Sequence, residues 1–197
     1  MNGRKFLLAI ALAAVLAVSS LPQGAAAADV VQTRGESAFA FFESTDASGC
    51  IVTAVTVGGF VNESGQQAYV FVDQGDVCAG VGLMYLEGIT TAAQINVDKK
   101  LTTGSIFGTW DAYDYFNETT ISLSVNVSWT GNGEVTTNTT RFMERGPNYT
   151  VIYHDKGSGR PAIASGSVWD GTTEYLAGSS SFATLRNTKS GQVTIST

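Results

Sequence analysis

Histidine, cysteine, proline and charged residues are all scarce in this 197-residue chain, and each scarcity removes a class of function. A single histidine, His154, excludes an imidazole-rich metal site. It also leaves nucleophilic hydrolysis with one base. Neither Gly157-Ser158-Gly159 nor Ala164-Ser165-Gly166-Ser167 has the Gly-x-Ser-x-Gly spacing of a nucleophile elbow. Phosphate-cradling loops of the Gly-Lys-Ser/Thr kind are missing. The three prolines form no Pro-rich linker, and no composition shift marks a domain boundary. Beyond residue 28 leucine occurs six times, so strong helix formers are few. Valine and threonine abound there, and β-branched side chains suit a pleated sheet.

Residues 1–28 have the three-part form of an export leader. Arg4 and Lys5 are followed by the apolar run Phe6 to Val18 and by the small residues Ala25 to Ala28. The run is short for a bilayer span, which needs roughly 20 residues. The expected product is one domain over 29–197, secreted and soluble, with no membrane span once the leader is removed. Arg4 and Lys5 leave with the leader, so that domain holds 9 cationic and 17 acidic side chains, a formal charge of −8. Such a balance argues against nucleic acid or an anionic membrane surface as partner. Cys50 and Cys78 are the only cysteines, and an even count in an oxidising compartment predicts a Cys50–Cys78 disulfide.

Period-two patterning is clearest from Thr119 to Trp129. There Ile121, Leu123, Val125, Val127 and Trp129 share one face, and Ser, Thr and Asn take the other. Thr130-Gly131-Asn132-Gly133 reads as a turn, and a strand over Glu134–Glu144 is expected to return beside the first. Other expected strands are Ser37–Ser44, Cys50–Phe60, Ala68–Asp73, Val77–Leu86, Thr102–Tyr115, Asn148–His154, Arg160–Trp169, Phe182–Arg186 and Gln192–Ile195. Turns are expected at Asp46–Gly49, Asn62–Gly65, Asp73–Asp76, Asp155–Gly159 and Asp170-Gly171, with a helical turn between Glu87 and Asn96. About ten closely spaced strands point to an antiparallel sandwich or a closed barrel. The reading adopted is all-β, a single antiparallel β-sandwich, jelly-roll or immunoglobulin-like. A lipid-embedded barrel is disfavoured by uneven alternation and the lack of aromatic girdles.

No catalytic set assembles in this pattern. His154 reads as an exposed turn residue. Asp111 and Asp114, three apart on a strand, point to opposite faces and cannot act as a pair. Asp73 and Asp76 flank an expected turn and are weak calcium candidates; no other cofactor is expected. The best contact surface lies on Thr102–Tyr115. Ile106, Gly108, Trp110 and Ala112 face inward there, while Phe107, Asp111, Tyr113 and Tyr115 share the other face. Asp111, Tyr113 and Tyr115 would suit a sugar ring if that face is open, through stacking and hydrogen bonds. Packing under a second layer is the competing reading. Asn62, Asn117, Asn126, Asn138 and Asn148 open Asn-x-Ser/Thr triplets, which matter only where a glycosylating pathway handles the chain.

The segments Gly49-Cys50-Ile51-Val52-Thr53, Val97-Asp98-Lys99-Lys100-Leu101, Ser128-Trp129-Thr130-Gly131 and Ala164 to Gly171 together resemble a pattern in exported bacterial all-β proteins without assigned activity. The resemblance implies a secreted single-domain sheet protein and transfers no catalytic residue. The function expected is that of a non-enzymatic surface, matrix or adhesion protein acting on an extracellular polymer or protein. A stand-alone carbohydrate-binding module and a small secreted hydrolase or hydrolase inhibitor are the alternatives.

Overall fold

The computed structural model describes residues 29–147, 149–176 and 178–196, so the expected leader and Asn148 lie outside the described residues. Ten strands and no helix are found within them. They are β1 (Asp29–Thr45), β2 (Ile51–Asn62), β3 (Gly65–Asp76), β4 (Val81–Thr90), β5 (Gln94–Val97), β6 (Thr103–Asp114), β7 (Thr119–Gly131), β8 (Thr136–Gly146), β9 (Tyr149–Trp169) and β10 (Phe182–Ser196). All pairings are antiparallel, in the order β10-β1-β2-β3-β4-β6-β7-β9-β8, with β5 beside β6.

The all-β class and the ten antiparallel strands are those the sequence implied. Because β10 pairs with both β1 and β9, eight strands form a ring, and the two packed layers are opposite walls of one sheet. Successive members of that ring are neighbours throughout, a meander without the long crossovers of a Greek key.

Alternation puts one side chain in two into the ring, and the buried ones are apolar except Asp114 at the end of β6. Ala38, Ala40 and Phe42 of β1 meet Val55 and Val57 of β2 and Val70 and Val72 of β3. Leu123, Val125, Val127 and Trp129 of β7 fill the other side. Small Ala and Val side chains let opposite walls approach closely, so the interior is a packed core and not a ligand cavity. Trp129 donates its indole N–H to Phe39 O at 2.9 Å. Gly166 of β9 has φ +155°, and a Cβ there would meet Asn126 O at 2.0 Å, so this part of the wall tolerates no side chain.

The wall thins between β4 and β6, which pair only at Leu86↔Asp114 and Glu87↔Tyr113. Beyond that point the chain bends over 91–93 and returns as β5, and Ile95 and Leu101 join the core. Trp110 fills the inside of this stretch against Gly88, its buried indole Nε1 without a hydrogen-bond partner. The helical turn expected between Glu87 and Asn96 is replaced by the end of β4, this bend and β5.

Three further expectations are corrected. The second strand of the expected hairpin, now β8, does not lie beside β7. The free edge of β7 is taken by residues 162–169 of β9, while β8 pairs with residues 149–159. The expected turn at Asp155–Gly159 is extended strand, because β8 and β10 hydrogen-bond to β9 from both sides through it. The break expected between residues 186 and 192 is likewise absent, since β10 runs unbroken between β1 and β9. These continuous strands leave the ring together. The first third of β1, the second half of β10, the first half of β9 and all of β8 form a four-stranded extension beyond it.

Candidate functional site

The open outer face of β6 decides between the two readings of Thr102–Tyr115. Ile106, Trp110 and Ala112 are buried, whereas Phe107, Asp111, Tyr113 and Tyr115 are exposed, Tyr115 to 53%. Among the described residues no second layer covers them.

Cross-strand register extends this patch into a band around the ring. One row runs Phe182–Phe41–Thr56–Phe71–Glu87–Tyr113 and the next runs Thr184–Phe39–Gly58–Tyr69–Ile89. Phe39 packs on Phe182 with ring centroids 5.9 Å apart, and Tyr69 on Phe71 at 5.5 Å. Gly58 is where the band needs a missing side chain. The Tyr69 ring lies across it, and a Cβ would meet Tyr69 Oη at 2.4 Å. Burial raises the Tyr69 hydroxyl pKa above the usual phenol value.

The band ends in a tyrosine cluster. Tyr113 meets Tyr115 edge to face at 5.0 Å, and Tyr115 meets Tyr85 at 5.4 Å. Tyr115 Oη donates to Glu87 Oε2 at 3.1 Å. This bond and the carboxylate charge raise the Tyr115 pKa, because a phenolate there would lose a donor and face an anion. Burial and then Glu87 raise Tyr85 as well. Glu87, from β4, is thus the acid that touches the tyrosines. Asp111, the acid expected from the sequence, shares the face but sits beside Ser122 of β7. Only the pairing of β4 with β6 could have revealed Glu87.

The other candidates fall elsewhere. Cys50 and Cys78 form the expected disulfide, with Cα atoms 5.2 Å apart, joining the start of β2 to the turn after β3. Asp76 lies beside it, but sulfurs spent on each other offer no thiolate to a metal. Asp76 Oδ1 accepts the N–H groups of Cys78 and Ala79, holding a turn at residues 77–80 rather than at the expected 73–76. Asp73 lies three residues earlier on β3, hence on the opposite face, so the two calcium candidates do not converge. Asp114 is buried. Its carboxylate accepts the Asn117 side chain and the N–H groups of Phe116 and Asn117, and these bonds hold its pKa below the usual carboxylate range. His154 is exposed in mid-strand on β9, opposite Arg141, and not in a turn. Trp129 is core, and Trp169 is 46% exposed.

Surface hollows are shallow. One of about 300 Å³ lies over Phe107, Thr109, Ser124 and Asn126. Compared with family models, with curated proteins and with solved structures, the chain matches none.

Proposed function

We propose that this is a secreted, non-enzymatic surface or matrix protein of adhesion type, which works through the outer wall of its ring and not through its interior. The observation that carries the reading is the aromatic band from Phe182 to Tyr115. It lies on a wall whose interior is already filled. A contiguous apolar band on a water-facing surface marks a contact site more often than chance exposure does. Phe60, Ile163 and Trp169 add isolated apolar side chains to the outer wall, but on β7 it presents Thr120, Ser122, Ser124, Asn126 and Ser128, which supports a wall bathed in water rather than lipid. The disulfide fits an oxidising compartment.

A second reading rests on the tyrosine cluster alone. Tyr85, Tyr113 and Tyr115 beside Glu87 offer apolar ring faces and a carboxylate, a combination suited to a neutral sugar. Two double variants separate the readings. Tyr113→Ser with Tyr115→Ser should abolish retention on an insoluble neutral polysaccharide if the cluster binds sugar. Phe41→Ser with Phe182→Ser should weaken adhesion to envelope or matrix preparations if the whole band is the contact. Adhesion unchanged in both variants, with each still folded, refutes both readings.

A further inference from the structure

The net charge of the chain, −6, conceals a segregation of charge that only the register reveals. In the extension, the face continuous with the ring interior carries the even positions of β1 and β9 and the odd positions of β10 and β8. On that face Arg34 of β1 lies directly opposite Lys189 of β10, which lies directly opposite Lys156 of β9. In the adjoining row His154 stands opposite Arg141 of β8, and Arg145 follows four residues along. All six side chains are exposed. Asn187, on the same face, donates to Lys99 O at 3.1 Å, which brings the Lys99–Lys100 loop against the neighbouring row Glu36–Asn187–Ser158 on the ring side. Register places one acid here, Glu36, in the row nearest the ring; Asp98 lies in the neighbouring loop. Glu144 and Asp155 point to the other face.

Side chains directly opposite on neighbouring strands have Cβ atoms about 5 Å apart, and like charges so placed repel. Three cations in line across three strands are therefore an unfavourable arrangement for the free protein, and an anion laid over them relieves it. We propose that this face binds a linear acidic polysaccharide, its carboxylate or sulfate groups lying over the Arg34–Lys189–Lys156 row and running on to Arg141. Three observations select that ligand. The cations form a line across strands, as a chain with repeating anions requires. Thr137, Thr139, Ser158 and Asn187 beside the line offer hydrogen bonds to hydroxyls. The face carries no Phe, Tyr or Trp, so it lacks the stacking platform with which single-stranded nucleic acids are usually held. The site is separate from the aromatic band and does not depend on it.

The test uses the purified protein with two acidic polymers, polygalacturonate and heparin. Uncharged dextran, single-stranded oligothymidylate and the protein alone serve as comparisons. The parent should bind at least one acidic polymer at low salt, release it as salt rises and melt at a higher temperature in its presence. Lys156→Glu with Lys189→Glu should weaken binding at least tenfold, whereas Arg186→Glu, on the opposite face of β10, should leave it unchanged. Lys189→Thr should also bind more weakly yet melt no lower than the parent, since it relieves repulsion; this separates a binding role from a structural one. Tyr113→Ser with Tyr115→Ser should bind the acidic polymers as the parent does. Undiminished binding by the double charge reversal, or no binding by the parent to either acidic polymer, overturns the proposal. So does binding to oligothymidylate alone, or salt-sensitive self-association in place of polymer binding.

Discussion

The ring and its extension are made of the same strands, yet they are stabilised in opposite ways. Inside the ring each strand has neighbours on both sides and buries every second residue. In the extension β8 pairs only with β9, and ten of its eleven residues are exposed, Phe142 to 58%. Its aromatic contacts are few: Phe142 packs on Tyr153 with ring centroids 6.1 Å apart, and the Tyr149 ring lies over Gly146. Stability therefore resides in the ring, and the extension is a surface carried by it. A long unpaired edge is a liability that proteins usually blunt with Lys, Pro or a bulge. On β8 only Arg141, Glu144 and Arg145 serve that purpose, and its register with β9 is unbroken.

The largest expected effect tests that contrast directly. Trp129→Ala removes a fully buried indole and its hydrogen bond to Phe39 O, and should cost about 3–5 kcal/mol in denaturant unfolding. Phe142→Ala in β8 should cost less than about 1 kcal/mol. Equal losses would mean that the extension is part of the core. Reducing the disulfide, or replacing Cys50 and Cys78 by Ala, frees a loop with a sequence separation of 28. Chain entropy puts the loss at roughly 3–4 kcal/mol, again confined to the ring. Amide exchange should show the same division, with β8 protected least.

A finer test lies within the ring. Trp110 and Trp129 are both buried, but only Trp129 has a partner for its indole N–H. Trp110→Phe removes an unsatisfied donor at the thin part of the wall and should be close to neutral. Trp129→Phe gives up the bond to Phe39 O and should cost about 1 kcal/mol more than Trp110→Phe. Urea midpoints of the two variants decide it.

Legibility in the sequence follows the same division. Where one face is buried and the other wet, as in β7, alternation alone showed the strand and its inward residues, because water enforces the pattern. The inward set of β6 and the disulfide were legible for the same kind of reason: burial and redox chemistry act on single residues. In the extension Val151 is the one buried side chain among the described residues, so Lys156-Gly157-Ser158-Gly159 reads as a turn and β10 as two strands. What straightens them is hydrogen bonding to strands distant in sequence. Glu87 and the Arg34–Lys189–Lys156 row were hidden for the same reason, since each exists only through register. Net charge, which counts residues without placing them, pointed away from anionic partners.

Acid should loosen the ring before it affects the extension. Asp114 is held below its ordinary pKa chiefly by the Asn117 side chain, against opposing burial, and Asp46, in the β1–β2 turn, by Ser48 and Ile51 N–H. Burial pushes the Asp170 carboxyl up, but bonds from Tyr175 Oη and the N–H groups of Thr172 and Thr173 outweigh it and leave it low. Each folded-state pKa lies below the unfolded value. The stabilisation is therefore complete above about pH 4 and is lost as the pH falls through the folded-state values. Asp114→Asn keeps one acceptor for the N–H groups of Phe116 and Asn117, loses the bond from Asn117 Nδ2 and cannot titrate, so its melting temperature should start lower but fall less steeply below about pH 4 than the parent's. A parallel fall in both would assign acid lability elsewhere.

The smallest effect concerns the tyrosine cluster and leaves stability almost untouched. Because Glu87 accepts from Tyr115 Oη and repels its phenolate, Glu87→Gln should lower the Tyr115 pKa toward that of a free phenol, about 10. Ultraviolet titration of the parent and the variant reads this directly. Asp111→Asn, on the same face but without a hydrogen bond to the cluster, should leave the Tyr115 titration where it was. If Asp111 moves it and Glu87 does not, β4 and β6 do not meet where the pairing of Glu87 with Tyr113 puts them, and the aromatic band would end one strand earlier, at β4.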